Sequence, residues 1–360
     1  MSSNHTKKTD LKNFSEDDLV AYVTSLGQPP FRGRQIMSWL YRAGITKFSQ
    51  MTDLAKVLRQ ILEENSYISQ YSDPIIEKAS DGCVKFGFRL DDGHIIESVL
   101  IPEPDRNTLC ISSQVGCAMG CTFCMTASMG FIRNLSPAEI VNQICAVRDY
   151  LDSLPAGEFP GPDKVTNVVY MGMGEPLNNL DNVLTSLEIL THQKGLDLAT
   201  RRITVSTCGI ATKLKELGEK SSVNLAISLH AVDDETRRKL MPVNNRYSID
   251  ELLNACRQFP LPKRKRIMFE YILLKDINDS DNDARELARK LQDIPCKINL
   301  LPYNESPQLP FKNPGSKRIH AFQKILIDAH LTVFVRHSRG ADISAACGQL
   351  ATDKKSTMIK

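Results

Sequence analysis

Cys117, Cys121 and Cys124 stand in the run Cys-Ala-Met-Gly-Cys-Thr-Phe-Cys, a spacing that puts three thiols into one loop. Three thiolates are one ligand short of a closed tetrahedral zinc site or of an electron-transfer iron-sulfur cluster. If the metal is zinc, a distant cysteine or histidine completes the set, and ten cysteines and seven histidines offer many choices. If it is a 4Fe-4S cluster, one iron keeps an open position that a molecule with an amino and a carboxylate group can chelate. That second case points to catalysis, and spacing alone leaves both open.

Composition narrows the setting. A chain of 360 residues can bury one large α/β domain and a small appended one without staples. The start, Met-Ser-Ser-Asn-His-Thr-Lys-Lys, lacks an apolar core before a small-residue cleavage site, and no run approaches the ~18 apolar residues of a membrane span. A cytoplasmic protein without membrane attachment is expected, and a monomer. There the thiol pool keeps cysteines reduced, so any disulfide should be transient and chemical. The net charge of +3 is slight, yet Lys263-Arg264-Lys265-Arg266 and Arg201-Arg202 can contact phosphates. Such runs are usually solvated surface.

The elements that must position the thiols can be read from periodicity. Residues 15–65 read as helices: Ser15 with Asp18 makes a capping box, and Ile36, Leu40, Leu54, Val57, Leu58 and Ile61 recur at helical spacing. Trp39 lies in register with that stripe and is expected in the core, although Phe31, Arg32, Arg34, Trp39 and Tyr41 mix basic and aromatic residues as nucleic-acid modules do. Strand-like runs at 84–90 and 94–101 flank Asp91-Asp92-Gly93, a turn signal, and predict a linking β-hairpin.

Beyond the hairpin, strands are predicted at 108–113, 165–170, 202–207, 223–229, 266–274, 297–301 and 331–336. Helices are predicted at 136–151, 181–192, 211–218, 248–257, 281–292 and 316–329. Ser136-Pro137-Ala138-Glu139 gives the first helix its N-cap, a first-turn proline and a capping Glu. About six βα units predict an α/β fold with a parallel sheet, too few for a closed eight-stranded barrel and hence a partial barrel open on one side. Polar residues collect after the strands, at Met171-Gly172-Met173-Gly174-Glu175-Pro176, at 206–209 and at Ser228-Leu229-His230, where barrel enzymes place their sites.

These residues resemble a known family, the radical S-adenosylmethionine (SAM) enzymes, and within it the RlmN/Cfr group of RNA adenosine methyltransferases. The resemblance covers residues 31–350. It is carried by Cys-Ile-Ser-Ser-Gln-Val-Gly-Cys at 110–117, the three-cysteine run, Gly-Phe-Ile-Arg-Asn-Leu at 130–135, Met-Gly-Met-Gly-Glu-Pro, and Asp-Ile-Ser-Ala-Ala-Cys-Gly-Gln-Leu at 342–350. It implies a partial (β/α)6 radical SAM barrel with a small helical N-terminal domain. The divisions expected are 1–75 for the RNA-binding helical domain, 76–105 for the hairpin carrying Glu97, 106–338 for the core, and 339–360 for a C-terminal catalytic loop and tail.

The resemblance also implies a set of roles. Cys117, Cys121 and Cys124 would hold one 4Fe-4S cluster whose open iron binds SAM. Gly174 and Glu175 correspond to the segment gripping the SAM amino group, with further SAM contacts at Ser206, Ser228, Leu229, His230 and Asn304. An adenine ring C–H carbon is no nucleophile, so a radical route is needed, and the cofactor carries that chemistry. Cys347 would accept a methyl group from one SAM, a 5′-deoxyadenosyl radical from a second SAM would remove a hydrogen from it, and the carbon radical would add to the ring. Glu97 corresponds to the base that removes the ring proton. Cys110 corresponds to the thiol that releases the covalent RNA adduct, forming a disulfide that an external reductant must reopen.

Read alone, Cys110 in its strand-like run is a buried small hydrophobe, and Glu97 a solvent-facing strand residue. The remaining thiols, Cys83, Cys145, Cys208, Cys256 and Cys296, match no catalytic position and are read as structural. The expected substrates are an adenosine in the peptidyl-transferase region of 23S ribosomal RNA and one beside the anticodon of certain transfer RNAs, methylated at C2. The partners are these RNAs, an external electron donor and a thiol reductant. Two alternatives stand beside this reading: a Cfr-like C8 methyltransferase conferring antibiotic resistance, and a non-catalytic RNA-binding protein with a structural metal site. Arg339-Gly340-Ala341-Asp342 and Asn134-Leu135 are closer to the RlmN pattern.

Overall fold

In the computed structural model, which describes residues 8–336 and 338–350, ten strands form one sheet. In chain order they are β1 (Ile75–Lys78), β2 (Val84–Arg89), β3 (Ile95–Glu103), β4 (Arg106–Cys110), β5 (Asn167–Tyr170), β6 (Ile203–Thr207), β7 (Asn224–Ser228), β8 (Ile267–Leu273), β9 (Cys296–Pro302) and β10 (Val333–Val335). The spatial order follows the chain order without a crossover. From β1 to β4 neighbours run antiparallel, and from β4 to β10 they run parallel.

The parallel strands are joined by helices Pro137–Ser153, Leu180–Thr191, Ala211–Lys220, Ile249–Arg257, Asp281–Leu291 and Ser316–Asp328. This is the partial (β/α)6 barrel the sequence predicts, with β1 and β10 as its two edges. The predicted hairpin is present as β2 and β3, and it is built into the sheet: β3 pairs with β4, so the antiparallel strands extend the barrel wall. The Ser136 cap forms as expected, its Oγ accepting from Glu139 N (3.2 Å) while Glu139 Oε2 accepts from Ser136 N (2.9 Å).

Strand alternation sorts the side chains into two layers. Ile203 and Val205 on β6, Phe269 and Tyr271 on β8, and Ile298 and Leu300 on β9 pack into the main core. The alternate residues face the lumen. There the register aligns Ser228, Glu270, Asn299 and Phe334 across β7–β10, and places Cys110 opposite Val99 on β3 and Val169 on β5.

The N-terminal helices Glu16–Ser25, Phe31–Leu40 and Lys56–Asn65 gather a second core around Leu19, Val23, Ile36, Met37, Leu58 and Leu62. Two readings shift here. The buried stripe of the third helix runs through Leu58 and Leu62, leaving Val57 70% exposed. Trp39, expected in the core, is only partly buried: its indole N–H donates to Asp53 Oδ1 (2.5 Å) and the Arg42 guanidinium lies over the ring at 4.1 Å. An indole N–H needs a partner, and the rim supplies one. Among the described residues no helix is long and apolar enough to cross a membrane.

Candidate active site

The cysteine loop begins at a position only glycine can fill. Gly116 has φ +71°, and a Cβ there would lie 1.8 Å from Gly130 O. This close approach lets Gln114–Gly116 pair with Phe131–Asn134, with Cys117 N donating to Gly130 O (2.9 Å). The loop then carries Cys117, Cys121 and Cys124, all half-buried. Burial pushes the Cys117 thiol up to about 12, against a Met119 N–H that favours its thiolate. Burial and then the charges of Cys124 and Cys117 raise Cys121 further.

Three thiols in one loop, with burial opposing ionisation of Cys117 and Cys121, are a donor set for a cationic centre. Among the described residues no three His, Cys, Asp or Glu side chains converge as ligands of a single ion. A 4Fe-4S cubane takes one thiolate per iron corner, and three thiols carried on one loop fit three of its four corners.

Beside the loop, Gly174 has φ +99°, and a Cβ there would meet Gln114 Cβ at 2.5 Å. Gln114 in turn accepts from Glu175 N (2.8 Å) and donates to Asn134 Oδ1 (2.8 Å). Glu175 is buried, and its two carboxylate oxygens accept from Leu177 N (3.0 Å) and Cys208 N (2.7 Å). Burial raises its pKa, against those hydrogen bonds. The Cys208 and Thr207 side chains also hydrogen-bond to the carboxylate and favour its charged form.

Farther round the mouth, Ser206 and Ser228 are half-buried at the ends of β6 and β7, and Asn304 is half-buried just past β9. Leu229 packs its side chain into the main core, its N–H donates to Glu270 O (3.1 Å) and its carbonyl accepts from Arg237 Nε (3.0 Å). His230 is buried, with φ +61°; its Nδ1 accepts from Ile272 N (3.1 Å) and its ring meets Phe123 edge-on at 5.0 Å. Burial and then the Arg237 charge lower its pKa to about 3, so it is neutral at physiological pH.

Arg237 went unnoticed in the sequence, where it is one cation in Asp-Glu-Thr-Arg-Arg-Lys. It is fully buried, donating to Leu229 O (3.0 Å), Asn244 Oδ1 (2.9 Å), Cys208 O (2.7 Å) and Ser228 O (3.2 Å), and so ties the ends of β6 and β7 together. Only the fold brings those carbonyls to one place.

On the other side of the lumen lies Glu97. A solvent-facing strand residue by pattern, it is only 6% exposed, because β2 and β4 flank β3. Lys85 Nζ lies 3.6 Å from Glu97 Oε1 and 3.0 Å from Glu77 Oε1, and donates to Ile343 O (2.8 Å). Ser112 Oγ donates to Glu97 O (2.6 Å) and accepts from Met173 N (2.8 Å), fixing β3 to the loop before Gly174. Cys110 is opposite Val99, so Glu97 and Cys110 share the lumen face of adjacent strands. Its thiol is pushed up by burial and then by the charge of Cys347.

Cys347 is exposed on a loop pinned at both ends. At one end Asp81 Oδ2 accepts from Arg339 Nε (2.8 Å) and Gly340 N (2.9 Å), and Asp342 Oδ2 accepts from Ser80 N (2.8 Å). Burial opposes ionisation of Asp81, but these bonds and one from Cys83 N hold it at about 2. At the other end Gly348 O accepts from Met125 N (2.7 Å), next to Cys124, and Leu350 O from Thr126 Oγ1 (2.5 Å). The structure thus brings Cys110, Cys347 and the cluster loop around one mouth; Ser112 and Gln114, inside the 110–117 motif, and Lys85, which no sequence signal marked, are supports.

Residues 9–68 match the family described as the ribosomal RNA large subunit methyltransferase N-terminal domain, and residues 111–288 match the radical SAM superfamily. The chain is 71% identical to the dual-specificity RNA methyltransferase RlmN of Desulfotalea psychrophila, over 97% of this chain and 96% of that one. It is 52% identical to RlmN of Geobacter sulfurreducens, over 95% and 91%. A solved structure, a radical SAM methyltransferase from Sphaerobacter thermophilus, superposes with a TM-score of 0.87 at 41% identity, covering 96% of this chain and all of that one. The open barrel, the three-thiol loop and these likenesses agree, and the chain belongs to the RlmN family of radical SAM RNA methyltransferases.

Proposed function

We propose that this chain methylates C2 of an adenosine in the peptidyl-transferase region of 23S ribosomal RNA and of an anticodon-adjacent adenosine in certain transfer RNAs. The observation that carries the reading is the meeting, at one barrel mouth, of Glu97 and Cys110 on adjacent strands with Cys347, whose charge acts on the Cys110 thiol. The dual-specificity RNA methyltransferases at up to 71% identity support it.

Cys117, Cys121 and Cys124 hold one 4Fe-4S cluster, and Gly174, Glu175, Ser206, Ser228, Leu229, His230 and Asn304 hold SAM, used twice per turnover. Together these groups supply a methyl group and a one-electron route to an unactivated C–H bond. The chain's own residues do the rest. Cys347 carries the methyl carbon and becomes joined through it to the adenine ring. Glu97 takes the ring proton. The Cys110 thiolate attacks the sulfur of Cys347, and the carbon–sulfur bond breaks with its electron pair on the product carbon, which a proton converts to a methyl group. The disulfide left behind needs an external thiol reductant, and the cluster an external electron donor.

The helical domain, with Arg34 and Arg42 exposed, grips folded RNA by phosphate and shape. The protein works as a cytoplasmic monomer. Mass spectrometry of nucleosides tests the reading: 2-methyladenosine should vanish from both RNAs when the gene is deleted. Unchanged 2-methyladenosine would sink it, and 8-methyladenosine as main product would make this a C8 enzyme. Cys110→Ala should trap a covalent enzyme–RNA adduct, whereas Cys347→Ala should prevent one.

A further inference from the structure

Lys85 sends one ammonium to three places. It is 8% exposed on β2, and its Nζ donates to Ile343 O (2.8 Å), lies 3.0 Å from Glu77 Oε1 and lies 3.6 Å from Glu97 Oε1. The register explains how one side chain spans so much. Lys85 is opposite Glu77 on β1 and Val99 on β3, and Val99 is opposite Cys110 on β4. Glu97 shares that lumen face, and the β2 residue opposite it is Gly87, so from β2 it is Lys85 that reaches the carboxylate. Ile343 belongs to the loop that carries Cys347, so the same ammonium touches the base, the outer strand and the loop.

We propose that Lys85 is the positioning residue for removal of the ring proton: it holds the Glu97 carboxylate charged and in place, and ties that readiness to the seating of the Cys347 loop. This rests on the reading of Glu97 as the base and of Cys347 as the carrier of the methyl carbon. Lys85 itself forms and breaks no bond to substrate and acts only through Glu97.

A carboxylate removed from water keeps its charge only where cations or hydrogen-bond donors answer it. Only the charged form can take a proton. Glu97 is 6% exposed, and the Lys85 ammonium stands within ion-pair distance of it. A lysine ammonium has three N–H donors. Glu77 and Ile343 O take two, in directions set by β1 and by the loop, and the third is left for the Glu97 side. A lysine serving only to pair strands would already be neutralised by Glu77; the Ile343 carbonyl brings in the loop. That loop keeps its fastenings at Asp81, Asp342, Gly348 and Leu350 when Lys85 is removed. The two roles open to Lys85 therefore have different signatures. Loss of a loop fastener lowers methylation of Cys347, whereas loss of a base positioner leaves Cys347 methylated and stalls the joined enzyme–RNA species.

The test uses the cluster-loaded full chain under anaerobic reduction, with SAM and a transcript of the 23S peptidyl-transferase region. S-methylcysteine at Cys347 is read by peptide mass spectrometry after SAM alone, the covalent adduct on denaturing gels, and 2-methyladenosine by nucleoside mass spectrometry. Lys85→Met should methylate Cys347 as wild type does and accumulate the adduct as Cys110→Ala does. Its yield of 2-methyladenosine should fall at least about tenfold, a part of the ~10²- to 10⁴-fold that a positioned base supplies. Lys85→Arg, which keeps the charge, should release adduct faster than Lys85→Met. The double variant Lys85→Met with Glu77→Gln removes the cation together with one of its carboxylates and should stall in the same way, so it decides the matter if the single variant does not fold. Wild-type turnover by either methionine variant overturns the assignment. So does a joint fall of product and Cys347 methylation without adduct, or a Lys85→Arg that releases no faster than Lys85→Met. Glu97→Gln runs in parallel. If it releases product normally, the reading of Glu97 as the base falls; if it stalls while Lys85→Met turns over, Lys85 alone falls. Wild type without S-methylcysteine would remove the reading of Cys347.

Discussion

Glu175, proposed above to hold SAM, also holds the fold together. Its oxygens end two backbone N–H groups, at Leu177 and Cys208, that no strand or helix would otherwise satisfy. Glu175→Gln turns one acceptor into a donor facing a donor, and should cost about 1–3 kcal/mol. The outcome to measure is a lower melting temperature together with loss of SAM binding by titration calorimetry; a variant that binds SAM normally would separate Glu175 from the ligand. Glu270 titrates with the opposite consequence. Its folded pKa, about 7, lies above the ordinary 4.5 because burial favours the neutral form. Its contribution to stability is therefore full below pH 4.5 and is lost as pH rises through 7, on the order of 3 kcal/mol at about 1.4 kcal/mol per unit. Glu270→Gln, permanently neutral, should match wild type in urea at pH 5 and exceed it at pH 8. Equal midpoints at both pH values would show the carboxylate to be better solvated than its position implies.

At the scale of elements, the C-terminal loop is a strap whose stiffness comes from its two fastenings. Arg339 and Asp81 are each about one-third exposed, with side chains 36% and 32% accessible, so their ion pair adds little to global stability. It does decide where the loop sits. Arg339→Ala should leave the melting temperature within about 2 °C, as expected for a loss under 1 kcal/mol in a chain this large, yet raise hydrogen exchange across 340–349 and cut Cys347 methylation several-fold. Unchanged exchange would mean that the Met125 and Thr126 fastenings suffice. Gly116→Ala acts on the other half of the mouth: a Cβ 1.8 Å from Gly130 O, at φ +71°, forces the cysteine loop open. Iron content per chain should fall by more than half, and full iron loading would show that the loop can shift. These elements also mark what the sequence could convey. The six βα units, the Ser136 cap and the three-thiol loop rest on local spacing and were legible. Arg237, Lys85 and Glu270 were not, because each draws its meaning from partners more than 7 residues away or on other strands, and local pattern carries no such pairing. Glu97 reads as exposed for the same reason, since alternation cannot tell that strands cover β3 on both sides.

Across the whole molecule, the helical domain is not a bead on a string. Its core takes in Val141, Cys145 and Ile189 from two barrel helices. Lys12, almost fully buried, donates from Nζ to Asn142 Oδ1 (2.8 Å), Arg148 Nη1 donates to Tyr41 O (2.6 Å), and Ala138 N to Asn13 Oδ1 (3.0 Å). Separating these partners would strand a buried ammonium and an apolar strip on the barrel. The two cores should therefore unfold together. Trp39 is the only tryptophan in the chain and lies in the helical domain, so its fluorescence reports that domain while far-ultraviolet circular dichroism is dominated by the barrel. In urea the two signals should trace one transition with coincident midpoints. Lys12→Met, which removes the cation but keeps its stem, should lower that shared midpoint without splitting it, by about 1–3 kcal/mol from the unpartnered Asn142 oxygen. A fluorescence transition that precedes the circular dichroism transition by more than about 0.5 M urea, roughly 1 kcal/mol at ordinary slopes, would mean that the helical domain can detach while the barrel stays folded, and RNA capture would then begin from a hinged domain instead of a fixed wall.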